Sequence, residues 1–396
     1  MSGPLSGYRI VEIAGIGPGP FAAMMLSDMG AEVIRVERTQ AVQEGAGPNL
    51  DLLQRNRKSI AIDLKSDAGR EAFLRLVEKA DVVLEGFRPG VMDRLGVGYE
   101  TLRKANPGLV YCAISGYGQD GPYRDRAGHD INYLGSTGLL EMTGQKGGPP
   151  IQPAAQIGDI GGGAMTAAFG VMTALFGKQR TGKGQMVDIS MTDGAMSWAA
   201  MTAGAYFADG TVQKRGEAML GGGVVCYLPY EAKDGGWVSC GALEPKFWKR
   251  FCEGVDARHL AEHQFDPPGG PGWTKVAEVF KAKTRAEWKA FNDEHDCCIE
   301  PILDLGEAMD SELAEERGMV VEWEQPGLGK VREVGNPVKL SETPAAAPRP
   351  APAGGADTVD VLTEAGFSAE EIEALLESGA AAGTGGNSSA DTEFRA

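Results

Sequence analysis

The fold is decided by residues 8–37, YRIVEIAGIGPGPFAAMMLSDMGAEVIRVE. Residues 8–13 are a short β-branched run, which is typical of a strand, and residues 14–20 are rich in Gly and Pro, which predicts a tight loop. Residues 21–30 have helical spacing and end on a capping glycine, and residues 31–38 are typical of a second strand. The stretch therefore predicts a β-α-β unit.

The same alternation continues along the chain. Strand-like runs lie at 59–64, 81–87 and 109–116; residues 67–80, between the first two, have helical spacing, and residues 99–107 precede the third. Strands that alternate with helices of this length imply a mostly parallel sheet covered on both faces. The predicted fold class is therefore α/β.

Changes in composition divide the chain into parts. Residues 1–200 are predicted to begin a large α/β domain, and residues 222–325 to form a smaller α+β domain with two strands joined by a turn at 233–236. A return segment at 326–378, which includes an extended Pro/Ala linker at 343–356, is predicted to complete the large domain. Residues 379–396 are predicted to be a disordered tail.

Charge and hydropathy exclude several classes of function. The chain has 38 Lys and Arg against 55 Asp and Glu, a net charge of −17, which argues against a general nucleic-acid binder. Residues 357–396 supply much of this excess, so the body can still present cations to an anionic ligand. No uninterrupted apolar run approaches about 18 residues, so no membrane span is expected. Scattered cysteines and the lack of a secretory signal predict a cytoplasmic protein.

Three short motifs do not withstand inspection. The loop at 15–20 resembles the dinucleotide fingerprint, but Pro20 replaces its last glycine and the prolines remove backbone donors. Residues 177–184 resemble a phosphate-binding loop, but Gly184 stands where Ser or Thr should ligate magnesium. Residues 259–263 match the H-x-x-E-H zinc pattern, but a Pro/Gly segment follows and leaves little helix. No nicotinamide, nucleotide or metal site is predicted from them.

Three ionisable residues are the candidates for catalysis. His129 lies in a loop after the strand at 109–116, Asp159 opens an apolar helix of small residues at 158–176, and Glu244 follows a strand of the smaller domain. Each also has a structural explanation: a loop histidine, a helix cap and an exposed carboxylate, respectively.

Together these residues make a coherent acid–base apparatus. Removal of a proton from the carbon next to a thioester needs a base, and inversion of that carbon needs a second group on the opposite face. A second carboxylate near the imidazole of His129 would hold it oriented. The glycines at 161–163 leave a helix N-terminus bare, whose N–H groups can stabilise an enolate oxygen.

A series of ordered blocks resembles the α-methylacyl-CoA racemases, a branch of the family III CoA-transferase superfamily. The resemblance covers residues 4–325, with weaker likeness at 356–378. The blocks are PLSGYRIVEIAGIGPGPFAAMMLSDMGAEVIRVER (4–38), RNRKSIAIDLKS (55–66), EGFRPGVMDRLG (85–96), SGYGQDGP (115–122), AGHDINYL (127–134), GDIGGG (158–163), RTGKGQMVDISM (180–191) and GALEPKF (241–247).

The resemblance implies roles for particular residues. It makes His129 and Asp159 the two catalytic bases and pairs Glu244 with His129. It also implies contacts with CoA, whose phosphates suit cationic side chains. These contacts fall on Arg38, Ile62, Asp63, Leu64, Lys65, Met92, Arg94, Leu95, Gly128, Asp130 and Tyr133.

The resemblance also implies an architecture and a substrate. It predicts a Rossmann-like large domain built from both ends of the chain, a smaller domain, and an interlocked homodimer whose active sites each join one subunit's large domain to its partner's small domain. The substrate is an acyl-CoA thioester, and no metal or redox cofactor is required because CoA is part of the substrate.

Two departures from the racemase pattern affect the prediction. Ala155 stands where racemases have an Asn four residues before the catalytic Asp, and GGGVVCYLPY (221–230) replaces a usual DGGAPYY, which points to an altered acyl pocket. The prediction is a racemase of 2-methyl-branched acyl-CoA thioesters. The alternatives are a CoA-transferase that uses Asp159 as nucleophile and a CoA-binding paralogue without activity.

Overall fold

A computed structural model describes residues 3–40, 42 and 51–383, which divide into two compact units. The first unit holds the described residues of Met1–Thr137, Ala155–Ser197 and Glu315–Ala396, and the second holds Gly138–Ala154 and Trp198–Ala314. The smaller domain predicted at 222–325 overlaps the second unit, which begins earlier in the chain and ends earlier.

The described residues form the following helices and strands. The strands are β1 (Arg9–Ile13), β2 (Glu32–Glu37), β3 (Arg57–Ile62), β4 (Val82–Glu85), β5 (Val110–Ser115), β6 (Gln185–Ser190), β7 (Tyr227–Glu231), β8 (Trp237–Gly241), β9 (Ile299–Pro301), β10 (Val320–Gln325), β11 (Gly329–Val334) and β12 (Ala381–Ala382). The helices are α1 (Pro18–Asp28), α2 (Asp67–Glu78), α3 (Val91–Arg94), α4 (Tyr99–Ala105), α5 (Asp130–Thr137), α6 (Leu139–Met142), α7 (Thr166–Thr181), α8 (Met191–Ser197), α9 (Ala200–Asp209), α10 (Pro245–Gly254), α11 (Pro271–Phe280), α12 (Arg285–His295), α13 (Leu305–Met309), α14 (Glu312–Glu316), α15 (Thr358–Ala365) and α16 (Ala369–Glu377). A π-helix spans Ile157–Met165.

The first unit is built on a seven-stranded sheet with the order β12-β3-β2-β1-β4-β5-β6. Its pairings are parallel except the one between β12 and β3, so the predicted α/β fold with a mostly parallel sheet is confirmed. The predicted β-α-β unit is also confirmed, as β1, α1 and β2. Proline at the start of α1 suits a first helical turn, whose N–H groups have no partner within the helix.

Both faces of this sheet are buried. Val11, Ile34 and Ile60 point to the face covered by α2, α15 and α16, while Ile10 and Val33 point to the face covered by α1 and α7. Side chains alternate across a strand, so successive residues of β1 enter opposite cores. This double burial explains why these strands are continuous apolar runs in the sequence.

Buried ion pairs join the first three strands. The Glu12 carboxylate, on β1, accepts from Arg35 Nη1 at 3.1 Å and pairs with Arg57 Nε at 2.7 Å, and all three residues are buried. Asp28, the last residue of α1, accepts two hydrogen bonds from Arg55, at 3.0 and 2.7 Å. Buried charges persist only when they are paired and hydrogen-bonded, so these contacts fix the register of RNRK beside the sheet.

The C-terminal part of the chain returns to the first unit. The Pro/Ala segment predicted as a linker has no regular secondary structure, yet hydrogen bonds hold it: Ala346 N donates to Asp28 O at 2.7 Å and Gly355 N to Ser59 Oγ at 2.8 Å. The prediction of a disordered tail from residue 379 is wrong for its first residues, because Ala381 and Ala382 pair with β3 and complete that edge of the sheet. Residues 384–396 lie outside the described part.

The second unit has its own core. Its sheet has the order β7-β8-β9, and the predicted turn at 233–236 joins β7 to β8 as expected. Beneath the sheet, the rings of Tyr230 and Phe280 stack with centroids 4.4 Å apart, and Trp248 and Trp288 are fully buried. Aromatic side chains bury large areas, so this cluster supplies much of the unit's stability.

The glycine-rich stretch at 157–165 approaches α8 backbone to backbone. A Cβ added to Gly162 would lie 2.4 Å from Met191 O, and one added to Gly194 would lie 2.0 Å from Gly162 O. The π-helix runs directly into α7 as one helical segment at 157–181. The expectation that this segment is buried holds for only one side, because the Phe169 side chain is 73% exposed and the Phe176 side chain 64%.

This segment is also long and apolar enough to cross a membrane by length and composition alone. Half of its most apolar window is buried within the fold, as in a core helix of a globular protein, which meets the same criteria. The prediction of no membrane span therefore has one candidate exception among the described residues, and the burial of this helix is typical of a core helix.

Replacing Gly162 by Ala is expected to lower the free energy of unfolding by about 2 kcal/mol or more, because its Cβ would collide with the backbone of α8. Gly135, in α5, is the matched control, since nothing lies within 4 Å of an added Cβ. Gly135→Ala is expected to be neutral or to stabilise by up to about 1 kcal/mol. Urea unfolding measures both, and equal effects would contradict the close-packing argument.

Candidate functional site

The candidate site lies at the carboxyl edge of the parallel sheet. Strand order reverses at β1, whose neighbours are β2 and β4, and ligands of open α/β sheets bind outside the strand ends at such a reversal. The loops that follow β1, β4 and β5 all emerge at this edge. They carry Gly15–Gly17, Arg88 and Tyr117, and His129 lies farther along the loop after β5.

His129 directly precedes α5. Its backbone carbonyl accepts from Asn132 N at 2.8 Å and its backbone N–H donates to Asn132 Oδ1 at 3.0 Å, which fixes the backbone on both sides of the imidazole. The residue is exposed, and the described part of the chain supplies no hydrogen-bond partner for its ring. The imidazole is therefore available to a ligand.

Asp130 connects the His129 loop to the π-helix. Its buried carboxylate accepts from Gly158 N at 2.6 Å and from Asp159 N at 3.0 Å. The expectation that the N–H groups of this helix start are bare is wrong for these two residues, and the glycines at 161–163 are buried. Asp130, expected to contact CoA, instead has these backbone groups as its hydrogen-bond partners.

Asp159 lies in the first turn of the π-helix. Its Oδ2 is 3.7 Å from the position that a Cβ on Gly17 would take, which places the carboxyl beside the loop after β1. Burial raises the pKa of the Asp159 carboxyl, the Asp130 charge raises it further, and His129 lowers it. A carboxyl with a raised pKa is a better proton acceptor, as a general base needs to be.

Tyr133 supports the loop that precedes His129. Its hydroxyl donates to Gly128 O at 2.6 Å, and its ring lies against Gly128 and Gly116, where an added Cβ would approach to 2.7 and 2.6 Å. Burial, helped by the Asp159 charge, raises the pKa of Tyr133 to about 12, so the phenol stays protonated. Tyr133, one of the expected CoA contacts, is thus a packed residue that is only 5% exposed.

The other expected CoA contacts lie along the same sheet edge. Arg38 is exposed after β2, Lys65 is exposed after β3, and Arg94 is exposed in α3, which follows β4. Ile62 and Met92 are core residues at 1% and 3% exposure, while Asp63, Leu64 and Leu95 are partly exposed beside them.

Arg124 is a cation that the sequence analysis missed. A Cβ on Gly90 would lie 3.4 Å from both Arg124 Nη2 and Arg94 Nη1, so two guanidinium groups converge on the loop after β4. Arg88, in the same loop, lowers the pKa of Tyr133 through its charge. Convergent arginines are suited to phosphate groups. No spacing in the sequence indicates this, because Arg124 comes from a different loop.

Glu85 is a second residue that the sequence analysis missed. Its buried carboxylate, at the end of β4, accepts from Phe87 N at 2.7 Å and from the Tyr111 hydroxyl at 3.3 Å. Burial raises the pKa of Glu85 to about 7. The side chain fixes the start of the loop that carries Arg88.

Glu244 lies in the second unit, whereas His129 and Asp159 lie in the first. It occupies the N-cap position of α10, three residues after β8 ends, and its carbonyl accepts from Phe247 N at 3.0 Å. Its carboxylate is exposed and its charge raises the pKa of the Cys298 thiol, after burial. Ala155 is exposed just before the π-helix.

No cluster of three or more His, Cys, Asp or Glu side chains suited to a metal ion occurs among residues 3–40, 42 and 51–383. The H-x-x-E-H pattern falls on a 3₁₀ helix, Arg258–His263, and His263 Nδ1 lies 2.8 Å from Asp266 Oδ2.

The chain is similar in sequence and in fold to several known proteins. Residues 5–358 match the family model described as CoA-transferase family III. A protein from Mus musculus named Alpha-methylacyl-CoA racemase is 38% identical, with 93% of this chain and 95% of that protein covered, and its Homo sapiens counterpart is 36% identical over 94% and 96%.

Other relatives carry different names. A Succinyl-CoA:mesaconate CoA-transferase from Haloarcula hispanica is 31% identical, over 92% of this chain and 97% of that protein. Among solved structures, a CaiB/BaiF family protein from Brucella suis superposes with a TM-score of 0.77 at 27% identity, covering 92% of this chain and all of that one.

Replacing Asp159 by Asn is expected to raise the free energy of unfolding at pH 7, by up to about 1 kcal/mol after solvent screening. The folded protein raises the pKa of this carboxyl, so its ionised form is held at a cost. The gain should vanish as the pH falls through that pKa, where the carboxyl takes up a proton. Urea unfolding at pH 7 and at about pH 3 measures it.

The control is Asp209→Asn, at an exposed carboxyl whose pKa is lowered by bonds from Thr211. It should give no gain at pH 7. A gain for Asp159→Asn that is independent of pH would contradict the electrostatic explanation.

Proposed function

Because this chain belongs to CoA-transferase family III, we propose that it is a racemase that epimerises the α-carbon of 2-methyl-branched acyl-CoA thioesters. The observation that carries the proposal is the connection made by Asp130, which holds His129 and Asp159 at one edge of the sheet. The two relatives named Alpha-methylacyl-CoA racemase, which match over most of their length, support the choice of reaction.

The proposed chemistry is a two-base proton transfer. One base removes the α-proton of the thioester, the electron pair moves onto the carbonyl oxygen as an enolate, and the other base returns a proton to the opposite face. Asp159 suits this role because the pKa of its carboxyl is raised. His129 suits the role of the second base because its ring is exposed.

The CoA moiety is proposed to lie along the cationic side chains of the sheet edge. Arg38, Lys65 and Arg94 supply positive charge there, and Arg88 and Arg124 extend it. CoA arrives and leaves with the acyl group, so the proposed reaction uses no separate cofactor. A cytoplasmic location is part of the proposal, and it is supported by six free cysteines, which suit a reducing compartment.

A CoA-transferase is the second candidate, favoured by relatives with that name. In that reaction the Asp159 carboxylate attacks the thioester carbonyl, the thiolate of CoA leaves, and an acyl-aspartyl anhydride forms. CoA is then transferred to a second acid. The same half-buried carboxyl serves either chemistry, so only the products distinguish them.

A homodimer in which the site is shared completes the proposal. Its support is exposed apolar surface on each unit: Phe169 of the first is 73% exposed, and Met201 and Phe207 of the second are 86% and 81% exposed. Apolar patches of this kind mark interaction sites. In the proposed dimer, Glu244 of the partner subunit orients His129.

Incubation with a single enantiomer of a 2-methylacyl-CoA in deuterated water is expected to give racemised product with deuterium at the α-carbon, without any added acid. His129→Ala and Asp159→Ala should each lower the rate at least about 100-fold, the usual contribution of a general base. His259→Ala, at an exposed histidine, is the control and should retain the rate. Mass spectrometry and chiral separation measure both products. CoA transfer to a free acid without deuterium uptake would favour the transferase instead.

Co-expression of His129→Ala and Glu244→Ala chains tests the shared site. If His129 of one subunit works with Glu244 of the other, a mixed dimer contains one intact site and one doubly altered site. A statistical mixture should then recover about a quarter of the wild-type exchange rate. Each variant alone should be strongly impaired. No recovery in isolated mixed dimers would place both residues in the same subunit's site.

A further inference from the structure

The first unit contains a cavity of about 330 Å³ that the site above does not use. It lies between the end of α1, strand β10 and the stretch of chain at 336–348 that follows β11. Its volume is at the small end of the range for ligand sites. Most of its wall is apolar and comes from Val321, Val338, Leu340 and residues 344–348.

The cavity and the candidate site lie at opposite ends of α1. Asp28, which lines the cavity, is the last residue of this helix, whereas Gly17, which lies beside Asp159, directly precedes the first. A helix of 11 residues is about 16 Å long. The cavity is therefore separate from the proposed catalytic residues.

Hydrogen bonds hold the Pro/Ala wall of the cavity in place. Ala346 N donates to Asp28 O at 2.7 Å. Just beyond the wall, Asn56 N donates to Arg349 O at 3.2 Å, and Arg349 N donates to Asn56 Oδ1 at 2.7 Å. A wall that is already ordered spares a ligand the cost of ordering it.

Arg55 brings an unpaired donor to the cavity that it lines. Its side chain is 1% exposed, and its Nε and Nη2 donate to the two carboxylate oxygens of Asp28. Its Nη1 has no hydrogen-bond partner among the residues that the structure describes. A buried donor without an acceptor is unfavourable, so a ligand that accepts from it gains free energy.

Asn336 and Lys339 add two further donors. Asn336 is 8% exposed, and its Oδ1 accepts from Val338 N at 2.9 Å, while its Nδ2 is unpaired within the described part of the chain. Lys339 Nζ donates to Gly318 O at 3.3 Å and to Asn336 O at 2.8 Å. An ammonium group has three N–H bonds, so one of them is left for another acceptor.

The charges around the cavity favour an anion. The Asp28 carboxylate is already neutralised by Arg55, and it accepts a further hydrogen bond from Asn56 Nδ2 at 2.8 Å. The hydrogen-bond acceptors of Lys339 are backbone carbonyls, which carry no net charge. One positive charge and several donors therefore face an otherwise apolar cavity.

We propose that this cavity binds a short aliphatic carboxylate. The carboxylate oxygens accept from the guanidinium, amide and ammonium donors, and charge-assisted hydrogen bonds of this kind are the stronger ones. The hydrocarbon part packs on the apolar wall, which removes it from water. An inorganic anion leaves that wall uncovered, and an alcohol of the same length leaves the positive charge unpaired. The assignment is independent of the proposed function.

Titration calorimetry with butanoate, in a buffer free of other carboxylates, tests the proposal. Butanoate is expected to bind at one site per chain, and 1-butanol and inorganic phosphate are expected to bind at least about tenfold more weakly. Saturating CoA should leave the Kd of butanoate unchanged, because the cavity is separate from the cationic sheet edge. Equal binding of phosphate or butanol, displacement by CoA, or no saturable binding of butanoate would each overturn the proposal.

Substitutions at the donors locate the site. Lys339→Met and Asn336→Leu should each weaken butanoate binding at least about tenfold, since each removes one donor. Lys330→Met is the matched control, at an exposed lysine of β11 that pairs with Glu322 and does not line the cavity, and it should keep the wild-type Kd. Circular dichroism melting curves check that the variants are folded. An unchanged Kd in folded Lys339→Met would contradict the assignment.

A crystallographic test needs no variant. In crystals of the wild-type protein soaked with 3-bromopropanoate, the anomalous signal of bromine is expected beside Val338 and Leu340, with the carboxylate toward Arg55. Bromine peaks found only elsewhere on the protein would overturn the proposal.

Discussion

The approach of Gly162 to Gly194, backbone against backbone, is the constraint on which the rest of the first unit's site depends. Without side chains at these positions, the π-helix packs on α8 at a distance that a single Cβ would prevent. This contact sets the height of the π-helix above the sheet and so the place of Asp159 at its first turn. Interiors are packed closely enough that such a displacement would be felt.

Once the π-helix is packed on α8, hydrogen bonds and charges determine the rest of the site. The Asp130 carboxylate connects the π-helix to the loop of His129, because it accepts a hydrogen bond from Asp159 N. The Tyr133 hydroxyl holds the same loop by donating to Gly128 O. One carboxylate thus does two things: it orders two backbone segments, and its charge raises the pKa of Asp159. The carboxylate that holds the backbone of the site therefore also affects the pKa of a proposed catalytic base.

Much of this arrangement follows from local sequence. The β-α-β unit at 8–37 and the turn at 233–236 are written in short-range patterns of Gly, Pro and apolar residues, and both were predicted. The convergence of Arg94 and Arg124, the support given by Glu85 and the pairing of Ala381 with β3 depend on loops that meet only after folding. Such long-range contacts leave no periodic signal.

The sequence is misleading about the glycines at 161–163 for a related reason. A run of small residues indicates close approach without showing what approaches, and here the answer is α8 and not a ligand. Likewise, an apolar helix such as 157–181 predicts burial, but one of its sides is exposed in the chain taken alone.

The late return of the chain to β3 has a consequence for synthesis. Strands β1 to β6 leave the ribosome before residue 191, but α15, α16 and β12, which cover one core face and one edge of that sheet, come from residues 358–382. The second unit emerges in between and can fold first. Until then the face of the sheet that holds Ile34 and Ile60 is covered by α2 but not by α15 and α16, so a chain halted before residue 358 would expose apolar surface and bind chaperones.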